Sequence, residues 1–111
     1  MMRIVRREDG AVVGTVGYWD REDEAGAGAY EVGWFVLPEF QGRGYATEAT
    51  RQTVELARAE SRLPTIHAYP NAENAASNRI CEKAGFTLEG PMRIEYPAGH
   101  WMTCNDWSLD L

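Results

Sequence analysis

The sequence predicts an α+β domain, and three observations carry that expectation. Two apolar runs, Arg3 to Arg7 and Ala11 to Trp19, meet at Glu8-Asp9-Gly10, and Asp-Gly between apolar runs is a hairpin signal. A strand, a glycine turn and a helix follow one another from Tyr30 and lead into the short strand Thr65 to Tyr69. That is a βαβ unit, whose two strands are expected to be parallel neighbours. The last third then alternates between a short helix and strand-like runs.

In the second strand of the hairpin, Gly14 and Gly17 interrupt the apolar run, as at a bulge, at a close backbone approach or in plain loose packing. Asp20 to Ala29, first charged and then Gly/Ala-rich, has the composition of an exposed connection. From Tyr30 the chain alternates, with Tyr30, Val32, Trp34 and Val36 on one face and Glu31, Gly33, Phe35 and Leu37 on the other. Glu31 is the one carboxylate on this strand. Either it projects where Gly33 leaves room, or it sits in solvent at the strand start. Pro38 stops the strand, and Gly42 and Gly44 turn the chain into a helix whose stripe is Ala46, Ala49, Thr53, Leu56 or Ala57, and Leu63. Pro64 follows the end of that helix, and Pro70 closes the next strand. Asn74 is a natural N-cap and Gly85 a natural residue just past a helix end, so a helix of about three turns lies between them. Phe86 to Leu88 and Met92 to Tyr96 read as strand, Pro97-Ala98-Gly99 as a turn, and Trp101 to Leu109 as a final strand.

The 111 residues are expected to form a single domain, 1–111. A hydrophobic fraction of 44% and a charged fraction of 25% match an ordinary soluble protein, with no apolar run long enough to span a bilayer. No secretory leader is apparent and the two cysteines lack disulfide or CxxC spacing, so a cytoplasmic setting is expected. The net charge of −6 disfavours nucleic acid, which needs clustered cations. His67, His100, Cys81 and Cys104 match no common metal spacing, and no metal is expected. The four tryptophans read as core and pocket walls.

The stretch Trp34 to Thr50 is the candidate site. Glycines permit positive φ and close approach of a ligand, and the free N–H groups of a first helical turn face whatever binds there, phosphate above all. A Walker loop is excluded because its lysine is missing, and the dinucleotide fingerprint fails at Thr47. What remains, Gln41-Gly42-Arg43-Gly44-Tyr45-Ala46, resembles the Q/R-x-x-G-x-G/A signature of the GNAT superfamily of acyl-CoA-dependent N-acetyltransferases. The run from Glu31 through Ala49, with Asn74 to Asn78 and Glu82-Lys83-Ala84-Gly85-Phe86, is similar to the branch of the RimJ and RimL ribosomal-protein acetyltransferases.

The resemblance implies an α+β, α/β sandwich-like fold with a central mixed, mostly antiparallel sheet flanked by helices, here without the strand and helices that usually precede the hairpin. It implies acetyl-CoA as co-substrate and direct attack by a primary amine, on a protein N-terminus or a small molecule, in a ternary complex. The pyrophosphate would lie on Gln41, Gly42, Arg43, Gly44, Tyr45, Ala46 and Thr47. The pantetheine arm would run along Phe35 and Val36, with Asn74 and Asn78 beside it. Glu31 would be the base, and Ser77 would protonate the thiolate or simply cap its helix. Cys81 stands where many members carry a tyrosine acid, and reads as core. A shortened acceptor side leaves two further expectations: a homodimer that supplies the missing wall, or an acyl-CoA-binding module without catalysis.

Overall fold

The computed structural model describes residues 1–22, 26–95 and 97–111. Six strands form one sheet: β1 (Met2–Val5), β2 (Val12–Glu22), β3 (Gly28–Val36), β4 (Thr65–Ala68), β5 (Thr87–Glu95) and β6 (Trp101–Asp110). Their order is β1-β2-β3-β4-β6-β5. Only β3 and β4 are parallel among neighbours, so the mixed, mostly antiparallel sheet and the βαβ unit expected from the sequence are both present. Helix α1 (Tyr45–Glu60) and helix α2 (Ala75–Lys83) complete the domain.

The two helices share one face of the sheet. Tyr30, Val32 and Val36 of β3, Ile66 and Ala68 of β4 and Trp107 of β6 form one apolar cluster with Ala46, Val54 and Ala57 of α1 and Cys81 of α2. The alternation in β3 therefore holds, and the opposite face, carrying Glu31, Gly33 and Phe35, receives neither helix. Full burial of Val13 and Ile66 contributes about 1.5–3 kcal/mol each. On α1 the buried stripe is Ala46, Thr47, Thr50, Thr53, Val54 and Ala57, so the apolar contact falls on Ala57 while Leu56 is exposed. Small side chains let this helix lie close to the sheet.

Polar contacts latch the far end of α1. Tyr18 donates to Glu60 at 2.6 Å, and Arg62 reaches Glu60 at 2.5 Å and Asp20 at 2.8 Å. The hydrogen bond from Tyr18 and the guanidinium of Arg62 hold the Glu60 carboxyl below its ordinary range, so these contacts persist as pH falls toward 4.5 and are lost once Glu60 protonates below it. With its C-terminal end fixed to β2, α1 has its N-terminus set over the end of β3.

Several boundaries differ from the sequence reading. β2 continues past Trp19 to Glu22, because Trp19 to Glu22 pair with Glu31 to Gly28 across the sheet. β1 ends at Val5, where a register shift places Val13 as an extra residue opposite it. Phe86 to Leu88 and Met92 to Tyr96 join as the single strand β5, bulged near Gly90, whose φ of 143° only glycine adopts comfortably. Tyr96 itself lies outside the described residues. The space above Gly33 is filled by Trp19, whose ring carbon would stand 2.8 Å from an added Cβ.

Two outcomes follow from this packing. A Cβ on Gly14 would meet the backbone oxygen of Phe35 at 2.1 Å, whereas on Gly17 it would meet only the end of the Met1 side chain at 3.0 Å. Gly14→Ala is therefore expected to cost about 3 kcal/mol in urea unfolding and Gly17→Ala well under half of that. Burial pushes the Cys81 thiol up from 9.0 to about 12. The unfolded thiol ionises first, so stability is intact below pH 9 and falls as pH rises toward 12, and Cys81→Ala removes that component of the decline.

Candidate functional site

The site begins where β3 leaves β4. Among the described residues the two strands pair only at Tyr30 with Ile66 and Glu31 with His67, after which β3 stays on β2 while its other edge has no partner strand. A cleft of about 410 Å³ opens along that edge, between Trp34 to Val36, the glycine turn and the first turns of both helices.

The turn is shaped by its sequence. Pro38–Phe40 makes one turn of 3-10 helix, and Gln41 donates its side-chain amide to the carbonyl of Val36 at 3.0 Å, tying the turn to the strand it follows. Gly42 at φ 77° and Gly44 at φ 83° occupy left-handed backbone that other residues avoid. Gly44 is the residue before α1, and no side chain caps the helix. The first intrahelical bond runs from Glu48 to the Gly44 carbonyl, so the N–H groups of Tyr45, Ala46 and Thr47 are left for a ligand. Together they present about half a positive charge to the cleft.

Helix α2 faces this terminus. Asn74 accepts from the backbone N–H of Ser77 at 3.1 Å, which caps the helix and is worth about 1 kcal/mol. Both residues line the cleft. Arg79 and Lys83, one turn apart, line it as well, so two cations and a helix N-terminus converge in a chain of net charge −6. The arrangement can hold a polyanion at one end and an extended arm along an open strand edge.

Phe35, Val36, Gln41, Gly42, Gly44, Tyr45, Ala46, Thr47, Asn74 and Ser77 are thus brought together around one cleft. Arg43 stands beside it, its guanidinium 6.0 Å above the ring of Phe40. Asn78 is placed elsewhere. Its amide nitrogen donates to the carbonyls of Asn71 and Asn74, and its oxygen accepts from Asn105 and from the indole of Trp107, at 2.8 to 3.0 Å. With four bonds made, its amide has no capacity left for a ligand and serves to hold α2 on β6. Glu31 does not line the cleft: it stands at the last β3–β4 pair on the helix-free face, with Oε1 2.5 Å from Arg21. Cys81 is fully buried in the core.

Sequence reasoning missed Ala76, Arg79, Ile80 and Lys83 as lining residues, whereas Trp34 and Phe40 fall in the stretch it singled out, Trp34 as a core or pocket wall. The signal was present in α2, where positions 76, 79, 80 and 83 share one face at helical spacing. Which face looks at the cleft depends on the packing of α2 against its neighbours.

The comparisons with known proteins agree with this geometry. A family model described as an acetyltransferase (GNAT) domain matches residues 1–87. The chain is 30% identical over 104 residues to an uncharacterized N-acetyltransferase, YnaD, of Bacillus subtilis, covering 94% of this chain and 56% of that protein. It spans about half the length of the curated relatives it matches. Among solved structures, a GNAT-family acetyltransferase from Bacillus anthracis superposes with a TM-score of 0.82 at 28% identity, covering 97% of this chain and 64% of that one. YncA of Salmonella typhimurium, a putative acetyltransferase solved with its cofactor acetyl-CoA, superposes with a TM-score of 0.76 at 25% identity, covering 93% and 60%. With an uncapped helix N-terminus over a parted strand pair and this family model along most of its length, the chain belongs to the GNAT acetyltransferase family.

Proposed function

We propose that the chain transfers an acetyl group from acetyl-CoA to a primary amine by direct attack in a ternary complex. The observation that carries the reading is the cleft itself, which joins an anion-binding helix N-terminus to an unpaired strand edge. The pyrophosphate fits the N–H groups of Tyr45, Ala46 and Thr47, with Arg79 and Lys83 opposite. The pantetheine amides fit the open edge at Phe35 and Val36, as an added strand would. The thioester is then directed along β3 toward the point where β3 and β4 part.

The amine is proposed to arrive from the helix-free face. Glu31, the carboxylate of that face nearest the strand junction, draws the ammonium in, and deprotonation runs through it directly or by water. Ser77, in the first turn of α2, is the hydroxyl on the α2 side of the cleft proposed to meet the departing thiolate. The motifs of the glycine turn and of α2 favour the branch of ribosomal-protein acetyltransferases, with a peptide N-terminus as acceptor and a small-molecule amine as the other choice. A homodimer is also part of the proposal. Among the described residues, edge strand β1 has no partner on its outer side, and it exposes Met2 and Val5.

Titration calorimetry with acetyl-CoA tests the cofactor half. Binding is expected, and Arg79→Ala and Lys83→Ala are each expected to weaken it about tenfold, the loss of one charge-assisted contact. Release of free thiol with a panel of peptide N-termini, polyamines and amino acids then tests the transfer. Binding without release from any amine would leave an acyl-CoA-binding module in its place. In sedimentation velocity, Val5→Lys is expected to shift a dimer toward monomer.

A further inference from the structure

A row of polar and aromatic side chains crosses the helix-free face over four adjacent strands. Arg21 of β2 donates to Glu31 of β3 at 2.5 Å and lies with its guanidinium 4.3 Å above the ring of Tyr69. Tyr69 stacks on His67 of β4, the ring centroids 5.7 Å apart and the planes 10° from parallel. His67 in turn places Nδ1 2.7 Å from Oδ1 of Asp106 on β6. These contacts fix the imidazole on two sides, and it is only 9% exposed.

The position of this histidine is what gives it chemistry. His67 is the register partner of Glu31 at the last pair before β3 and β4 part, so the two residues stand on adjacent strands about 5 Å apart, three residues along β3 from Trp34, the first strand residue that lines the cleft. An ionised carboxylate only accepts hydrogen bonds, so Asp106 places the imidazole proton on Nδ1 and leaves the Nε2 lone pair free. Among the described residues Nε2 has no hydrogen-bond partner. Glu31, by contrast, has Oε1 committed to Arg21. The titratable and charged groups around His67 are Arg21 and Glu31 from β2 and β3, Tyr69 beside it, and Asp106 from β6, with Cys104 of β6 near enough to Glu31 to feel its charge. Burial keeps the Cys104 thiol protonated, and it does not compete as a base.

We propose that His67, in place of Glu31, accepts the amine proton in acetyl transfer, that Asp106 is its positioning residue, and that Glu31, fixed by Arg21, keeps only the role of drawing in and orienting the ammonium. This rests on the transfer reading above. The ammonium gives one proton to Nε2, and the freed nitrogen pair forms the C–N bond at the thioester carbonyl. As the C–S bond breaks, its electron pair leaves on sulfur, and the second proton of the attacking nitrogen passes to the thiolate. The imidazolium then returns its proton to solvent.

The test is the pH profile of kcat/KM for thiol release from acetyl-CoA, using the best acceptor among alanyl peptides, spermidine and free amino acids. His67→Gln is expected to lower kcat about 100-fold or more, to lose the acid limb of the profile, and to keep acetyl-CoA affinity within about twofold. His67→Asn, which retains a donor toward Asp106, is expected to fold and to show the same loss. Asp106→Asn is expected to lower kcat about tenfold, with part restored by Asp106→Glu. In nitrogen-15 spectra of the wild type, the neutral imidazole is expected to carry its proton on Nδ1. An acid limb that survives in both His67 variants but vanishes in Glu31→Gln overturns the proposal, as does a proton found on Nε2. Transfer by the wild type with both His67 variants unimpaired overturns this inference alone. A wild type that binds acetyl-CoA but releases no thiol removes the transfer reading and this inference together.

Discussion

The parting of β3 from β4 is the constraint on which the rest of the molecule depends. Two parallel strands that stayed paired would satisfy each other's backbone groups and leave no edge for a ligand. Here the pairing stops after Glu31 and His67, and everything on the helix side is arranged around the gap. Gln41 holds the glycine turn to the strand end, Gly44 starts α1 above it, and Asn74 starts α2 opposite. Opening costs strand hydrogen bonds, and the buried cluster that keeps both helices on the sheet offsets that cost.

The same junction separates two kinds of chemistry. On the helix side the groups are backbone N–H, glycine and two cations, which suit a phosphate-rich ligand that must be bound and released. On the other side lie carboxylates, an imidazole and aromatic rings fixed to one another across four strands. An acidic protein can thus gather cations and free N–H groups locally while keeping carboxylates apart from them, because each set sits on its own face of one sheet.

Much of this was legible in the residues. The alternation from Tyr30 to Val36, the Asp-Gly hairpin and the glycine turn before α1 are local, and local rules of side-chain period and backbone freedom determine them. Ten of the residues expected at the site line the cleft: the glycine turn and the start of α1 were read from such rules, while Phe35, Val36, Asn74 and Ser77 were expected at the site from the resemblance to the GNAT superfamily. Asn78 was harder. In a helix it is one polar residue among several, and only the arrival of Asn105 and Trp107 from 27 and 29 residues away turns it into a structural clasp. Gly33 is similar, since the room it leaves is taken by Trp19 from the neighbouring strand.

By itself, then, the sequence determined the elements, their order, the parallel pair and the anion-binding turn, since each follows from periodicity and from where glycine and proline permit the chain to bend. Only the tertiary structure decided where the strands part, which face of α2 looks into the cleft, and that His67 meets Asp106 while Glu31 meets Arg21. Those are relations between residues distant in the chain. Sheet register and helix packing set them, and no local rule of spacing contains either.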